Sequence, residues 1–279
     1  MQGYGSIMVH VRAEGEAGQA VSLAAELARR FDARLIGIAA ADVALTMSVA
    51  SYGSGSAQLV TLRMAELEDK LRAAELLFRG SAGAAGEHVE WRAFTEFPAT
   101  AVAREARAAD LLVMSPRAGA RNSSFMSEAE PGDVLMQAGR PILLVPSGLG
   151  ELSASRILVA WKDRREARRA VRDALPLLAR AERVQVLEIC EAEESVAAAR
   201  RRVADVAAYL RDHGACAEGE ARLRREVSAS RELAAAAAAL EADLVVAGGY
   251  GHARLREWVF GGVTRDLMAD PTRCCLLSH

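Results

Sequence analysis

The chain repeats itself, and no other feature of its sequence narrows the possible folds so far. Ile7-Met8-Val9-His10-Val11 opens the first half, and Ile157-Leu158-Val159-Ala160-Trp161 takes the same place 150 residues later. Each run leads into an Ala- and Leu-rich helical stretch, ending near Arg30 and Arg180. A second short apolar run follows in each copy, Arg34 to Ile38 and Val184 to Ile189. Later the match is gapless at an offset of 133: ADLLV at 109–113 falls on ADLVV at 242–246, and RPILL at 140–144 on RCCLL at 273–277. The drop in offset leaves about 17 extra residues in the first copy, which the Ser- and Gly-rich stretch from Asp42 to Ala57 can absorb. The expected organisation is therefore two domains of one type, 1–147 and 156–279, with SGLGELSAS (147–155) as linker.

Within each copy the pattern reads strand, helix, strand, helix, strand, helix, strand, helix, strand. The stretch from Glu194 to Arg211 puts Val196, Ala199, Val203, Val206 and Leu210 on one face at a helical period. Its counterpart from Gln58 to Arg79 places Leu62, Leu67, Leu71, Leu76 and Leu77 among charges. The third strands are His88 to Arg92 and Ala217 to Leu223, the latter only weakly apolar and so expected at an edge. Residues 111–114 and 244–247 are continuously apolar, as strands buried on both faces are. Strands alternating with helices give a doubly wound parallel sheet, because parallel neighbours need crossover helices. In such sheets ligands sit beyond the carboxyl ends of the strands.

Composition excludes several classes. Hydrophobic residues make up 51% and charged residues 26%, enough apolar content for packed cores and too much for a disordered chain. Aromatics are only 5%, so Ala, Val, Leu and Ile must build those cores. A formal charge of −2 gives no basic footprint for nucleic acid. No apolar run approaches membrane-spanning length and the N-terminus carries no leader pattern, so the expectation is a cytoplasmic protein. The four cysteines (Cys190, Cys216, Cys274, Cys275) form no CxxC and no metal spacing, and read as buried free thiols.

The residues suited to chemistry follow the fourth strand of the second copy, GGYGHARLREWVFGGVTRD at 248–266. Glycine at a strand end lets backbone N–H groups approach an anion with no Cβ in the way. The helical stretch from Val263 adds unpaired donors and partial positive charge, and Thr264 adds a hydroxyl. The spacing Gly248-x2-Gly251-x9-Gly261, followed by Gly262, resembles the ATP-binding signature of the universal stress protein family. The text around it resembles the last third of such a domain, and ILVAWKDRREARRAVRDALPLLARAERVQVLEI resembles its beginning.

The resemblance covers both copies and implies a tandem form. That means two Rossmann-like (HUP-type) α/β domains, packed as an internal pseudo-dimer through their fifth strands (142–145 and 274–278). It also implies ATP across the strand tips, with its phosphates on the glycine loop. The implied ligand set is Gly248, Gly251, His252, Gly261, Gly262, Val263 and Thr264, with Ile189 at the end of the second strand. Where the family sets an Asp at the end of the first strand, this sequence has Lys162, with Asp163 one residue later. His252 could touch a phosphate or carry a proton, although loop histidines are more commonly solvated. No loop carboxylate suits Mg²⁺, and no paired carboxylates or nucleophile–base set marks an enzyme.

The first copy departs further. At the 133 offset the glycines become Ser115, Ala118, Glu128 and Ala129, and the strand-end position is Arg12. Glu128 and Glu130 put carboxylates where phosphates would lie, at a repulsion of about 1 to 4 kcal/mol for like charges roughly 4 Å apart. The first domain is thus expected to be a scaffold. His10 reads as a core imidazole, and Arg164, Arg165, Arg168, Arg169 and Arg172 as a solvated helix face diluted by Glu166 and Asp173. The leading expectation is an adenine-nucleotide-binding sensor or regulator acting through its second domain, with a homodimer or partner protein left open. The alternatives are a non-binding interaction module of the same fold and a weak ATPase. The insert at 42–57 suits a lid, a partner contact or a mobile loop equally.

Overall fold

A computed structural model describes residues 3–12, 17–42, 56–83, 88–116, 129–225, 228–249, 266–267 and 272–279; the side chains of 17 and 56–60 are not described. The described residues form two compact units, one of 4–140 with 147–151, the other of 3, 141–146 and 152–279.

The first unit contains β1 (Ser6–His10), α1 (Ala17–Phe31), β2 (Arg34–Ala41), α2 (Ser56–Ala82), β3 (Val89–Thr95), α3 (Pro98–Glu105), β4 (Leu111–Met114) and α4 (Pro131–Ala138). Its strands are parallel: β1 pairs with β2 and β4, and β2 with β3. Ile7, Met8 and Val9, with Leu111 to Met114, are wholly buried, which explains why both strands read as unbroken apolar runs. Phe78 of α2 packs on Trp91 of β3 with ring centroids 5.3 Å apart. Helix α2 buries Leu67, Ala74, Phe78 and Ala82, while Leu62 and Leu76 from the expected apolar set face solvent. Small and aromatic residues make most of that seam, with Leu67 from the expected set. β3 runs three residues beyond the expected Arg92, along the whole length of β2.

The second unit contains β5 (Ile142–Leu144), β6 (Arg156–Ala160), α5 (Arg165–Asp173), α6 (Leu175–Leu178), β7 (Arg183–Cys190), α7 (Val196–Asp212), β8 (Ala217–Leu223), α8 (Ala229–Ala239), β9 (Leu244–Gly248) and β10 (Cys274–Ser278). Its parallel order is β10-β9-β6-β7-β8, so the weakly apolar β8 is the edge the sequence suggested. β5 closes the other side by pairing antiparallel with β10, Leu276 opposite Leu143, which is the expected pairing of the two fifth strands. Helix α7 buries Ala199, Val203, Ala207 and Leu210; Ala207 replaces the expected Val206 at the sheet, and Val206 and Val196 are half-exposed. Ser228 caps α8 by accepting the Arg231 N–H at 3.3 Å.

One motif of the repeat has the same task in both units. The Asp110 carboxylate accepts the N–H groups of Gly5 (2.8 Å) and Ser6 (3.1 Å) at the start of β1. Asp243 accepts those of Ser155 (2.9 Å) and Arg156 (3.3 Å) at the start of β6, together with the Ser153 hydroxyl. The duplicated Ala-Asp-Leu is thus a clamp at the amino ends of the strands, opposite the end where ligands gather. Among the described residues no helix is long and apolar enough to cross a membrane.

Candidate functional site

The carboxyl ends of β6, β9 and β10 meet the first turn of α5. Gly248 ends β9, and a Cβ there would lie 2.6 Å from the Ala167 amide nitrogen and 2.7 Å from the Glu166 carbonyl carbon. Only glycine lets the helix start this close to the strand. One residue on, the Gly249 N–H donates to the Ser278 carbonyl at 2.7 Å, and its carbonyl lies 3.2 Å from Nδ1 of His279. The backbone entering the glycine loop is therefore tied to β10 before the loop begins.

Register places side chains on this platform. Ser278 pairs with Gly248, and Ala160 with Ala247, so Trp161 stands level with Gly248. In parallel strands level residues share a face, so Ser278, Gly248 and Trp161 face the start of α5. The Ser278 hydroxyl (1% exposed) and the Trp161 indole N–H (8% exposed) are buried there with no hydrogen-bond partner among the described residues. Glu166, buried in the first turn of α5, accepts from Arg165 at 2.6 Å. Burial pushes its carboxyl up, but hydrogen bonds from Arg165 and its own backbone N–H, with the charges of Arg165 and His279, outweigh this and hold it below the usual glutamate range.

The sequence candidates at the neighbouring tips separate by role. Lys162 and Asp163 are both exposed, in a tight turn in which the Arg164 N–H donates to the Lys162 carbonyl at 2.6 Å. The Asp163 carboxylate accepts from Arg168 at 2.5 Å, so its charge is held against α5. Ile189, half-buried near the end of β7, adjoins Glu188, whose buried carboxylate accepts from Arg202 of α7. The arginines of α5 lie on its solvated face, with Arg169 reaching Asp173 at 4.0 Å. Gly251, His252, Gly261, Gly262, Val263 and Thr264 lie outside the described residues, as do 43–55 of the insert.

The sequence does not single out four further side chains near these strand ends: Trp161, Ser278, Glu166 and Arg202. Trp161 and Ser278 sit at the ends of apolar runs and read as core, and Glu166 reads as part of a solvated face. Only the register of three non-consecutive strands brings them to one place.

In the first unit the matching strand end differs. The guanidinium of Arg12 donates to the Pro116 carbonyl at 2.9 Å, joining the segments that follow β1 and β4. His10 beside it is buried, and burial together with the Arg12 charge lowers its pKa from 6.5 to about 3, so it is neutral near pH 7. Glu130 precedes Pro131 at the start of α4; Ala118 and Glu128 lie outside the described residues. The cysteines divide: Cys190, Cys274 and Cys275 are buried, whereas Cys216 is exposed, contrary to expectation. Burial pushes the Cys274 and Cys275 thiols up to about 12. Among the described residues no group of three His, Cys, Asp or Glu side chains could hold a metal ion.

Comparison with known proteins now bears on this geometry. Residues 154–272 match the model of the universal stress protein family. The resemblance to that family lies in this segment, within the second unit. The whole chain shares its fold with a universal stress protein from Archaeoglobus fulgidus DSM 4304, at a TM-score of 0.69 and 12% identity, over 98% of each chain. A Pseudomonas aeruginosa UCBPP-PA14 protein assigned to the universal stress proteins aligns at 0.58 and 15%, over 99% of this chain and 94% of that one. A universal stress protein from Archaeoglobus fulgidus solved in complex with dAMP aligns at only 0.37 and 20%, over 44% of this chain and 95% of its own. No curated protein sequence matches the chain.

Proposed function

We propose that this chain is a universal stress protein and that it binds an adenine nucleotide, ATP in the first instance, at the strand ends of its second unit. It would act in the cytosol as a sensor or regulator, with the first unit a non-binding scaffold. Gly248 carries this reading. It opens the Gly248-x2-Gly251-x9-Gly261 spacing, and it stands where a side chain is excluded by the start of α5. Lys162 and Arg164 add positive charge for an anion. The Arg12–Pro116 bond and Glu130 support the scaffold role of the first unit.

Equilibrium titration with labelled ATP tests the site. Saturable binding by the native chain and at least a tenfold loss in Gly251→Glu is the expected outcome. Equal binding by the two proteins would reject the glycine loop. One observation favours a second reading, an interaction module without nucleotide: the Asp163 carboxylate is already engaged by Arg168. Nucleotide released from gently denatured, freshly purified protein would exclude it.

A further inference from the structure

Helix α2 carries a second face, opposite the one it packs into the first unit. At about 100° of rotation per residue, the buried Leu67, Ala74 and Phe78 lie across the helix from a strip of Leu62, Ala65, Asp69, Ala73, Leu76 and Gly80. Every residue of that strip is exposed. Leu62 (58%) and Leu76 (67%) are the most exposed large apolar side chains among the described residues. A Cβ on Gly80 would meet nothing within 4 Å. Single exposed leucines are ordinary, but the order along this strip is not. It is a palindrome about Asp69: Ala65 and Ala73 stand four residues to either side, and Leu62 and Leu76 seven. The charges beside it change sign through the same point, Glu66 and Glu68 before Asp69, Lys70 and Arg72 after it. Arg63–Glu66 (2.7 Å) and Arg72–Asp69 (3.3 Å) are exposed pairs within the helix, which contribute little and can exchange partners. Glu75 and Arg79 pair with each other further along.

A contact between two copies about a twofold axis sets residue i against residue j of the other chain, and j against i. The α2 strip meets that condition. Two such helices lying antiparallel across Asp69 bring Leu62 against Leu76 of the second copy at both ends. Ala65 and Ala73 line the middle, small enough for the backbones to approach closely. On one flank Glu66 comes beside Lys70 of the second copy, on the other Glu68 beside its Arg72, and the symmetry makes each pair twice. Asp69 against its own copy is a like-charge contact, tempered by Arg72 of each chain. We infer that α2 is a self-association surface whose occupant is a second copy of this chain, antiparallel about Asp69. Two leucines a side bury less than the roughly 1,200 Å² of a stable interface, so the dimer is a weak one. It is independent of nucleotide binding.

Sedimentation equilibrium of the full chain tests it. The expected result is a monomer–dimer equilibrium with a Kd of about 10 to 100 μM. Leu62→Glu or Leu76→Glu weakens it at least about tenfold, and Asp69→Asn, which removes the like-charge contact, tightens it about fivefold. Lys70 and Arg72 also stand four residues from Glu66 and Glu68 on their own helix, so the decisive variants are read by association and not by stability. A chain with Glu66→Lys and Glu68→Lys stays monomeric alone, as does one with Lys70→Glu and Arg72→Glu, while an equal mixture of the two forms the dimer. All these positions are exposed, and an unchanged circular dichroism spectrum shows that the variants fold. A monomer at every concentration up to about 1 mM overturns the inference. So does a dimer that Leu62→Glu and Leu76→Glu leave unchanged, or a mixture of the charge variants that stays monomeric.

Discussion

At the scale of single residues the two units spend buried polar groups differently. In the first, Glu105 is buried beneath Arg92 (2.7 Å), Arg104 (3.1 Å) and Arg107 (2.9 Å). Burial pushes its carboxyl up, yet hydrogen bonds from Arg104, Arg107 and Arg92 outweigh that and leave it below the ordinary range. Removing the carboxylate takes a partner from three guanidiniums, of which Arg92 keeps Glu90 and Arg104 keeps Glu96, so Glu105→Ala should cost about 1 to 3 kcal/mol by urea unfolding. A loss under 1 kcal/mol would mean the network contributes nothing. His10 gives a prediction with a pH sign. Its folded pKa of about 3 lies below the unfolded 6.5, so the unfolded chain binds the extra proton. The stability it contributes is complete above about pH 6.5 and falls as pH drops from there towards 3, by about 2 kcal/mol at pH 5. His10→Leu should therefore flatten the urea-midpoint change between pH 7.5 and pH 5. An unchanged slope would assign the acid sensitivity to other groups.

At the scale of elements the repeat explains what was legible. The strands were readable because each is a short apolar run of a parallel sheet, and the weak pattern of Ala217 to Leu223 gave away an edge. Both edge strands carry the same device, Glu90 bonded to Arg92 and Glu220 to Arg222, which keeps charge along an exposed ladder. Helix faces were less legible, since alanine signals neither burial nor exposure: Ala74 and Ala207 pack inward while Leu62 and Leu76 face out. The role of the Ala-Asp-Leu repeat was invisible, because its partners lie 104 and 105 residues away in the first copy. Asp110→Ala and Asp243→Ala should each lower stability by about 1 kcal/mol, the latter loosening the start of β6. Hydrogen exchange at Ser155 and Arg156 reads this directly, and unchanged protection in Asp243→Ala would remove the clamp. Gly248→Ala should be worse than either, because its Cβ meets backbone rather than a movable side chain.

At the scale of the whole molecule, the two units share one strand order, β3-β2-β1-β4 and β8-β7-β6-β9, with unequal strand ends. The glycine spacing is legible in the sequence because it is a pattern along the chain. The surroundings were not, because Trp161, Ser278 and Glu166 converge only through sheet order and crossover packing. The inequality makes a stoichiometric prediction independent of which nucleotide is preferred. Native mass spectrometry of the chain across a nucleotide titration measures it most directly. The account predicts one nucleotide per chain at saturation and none in Gly251→Glu. Two per chain, or one that persists in Gly251→Glu, would contradict it.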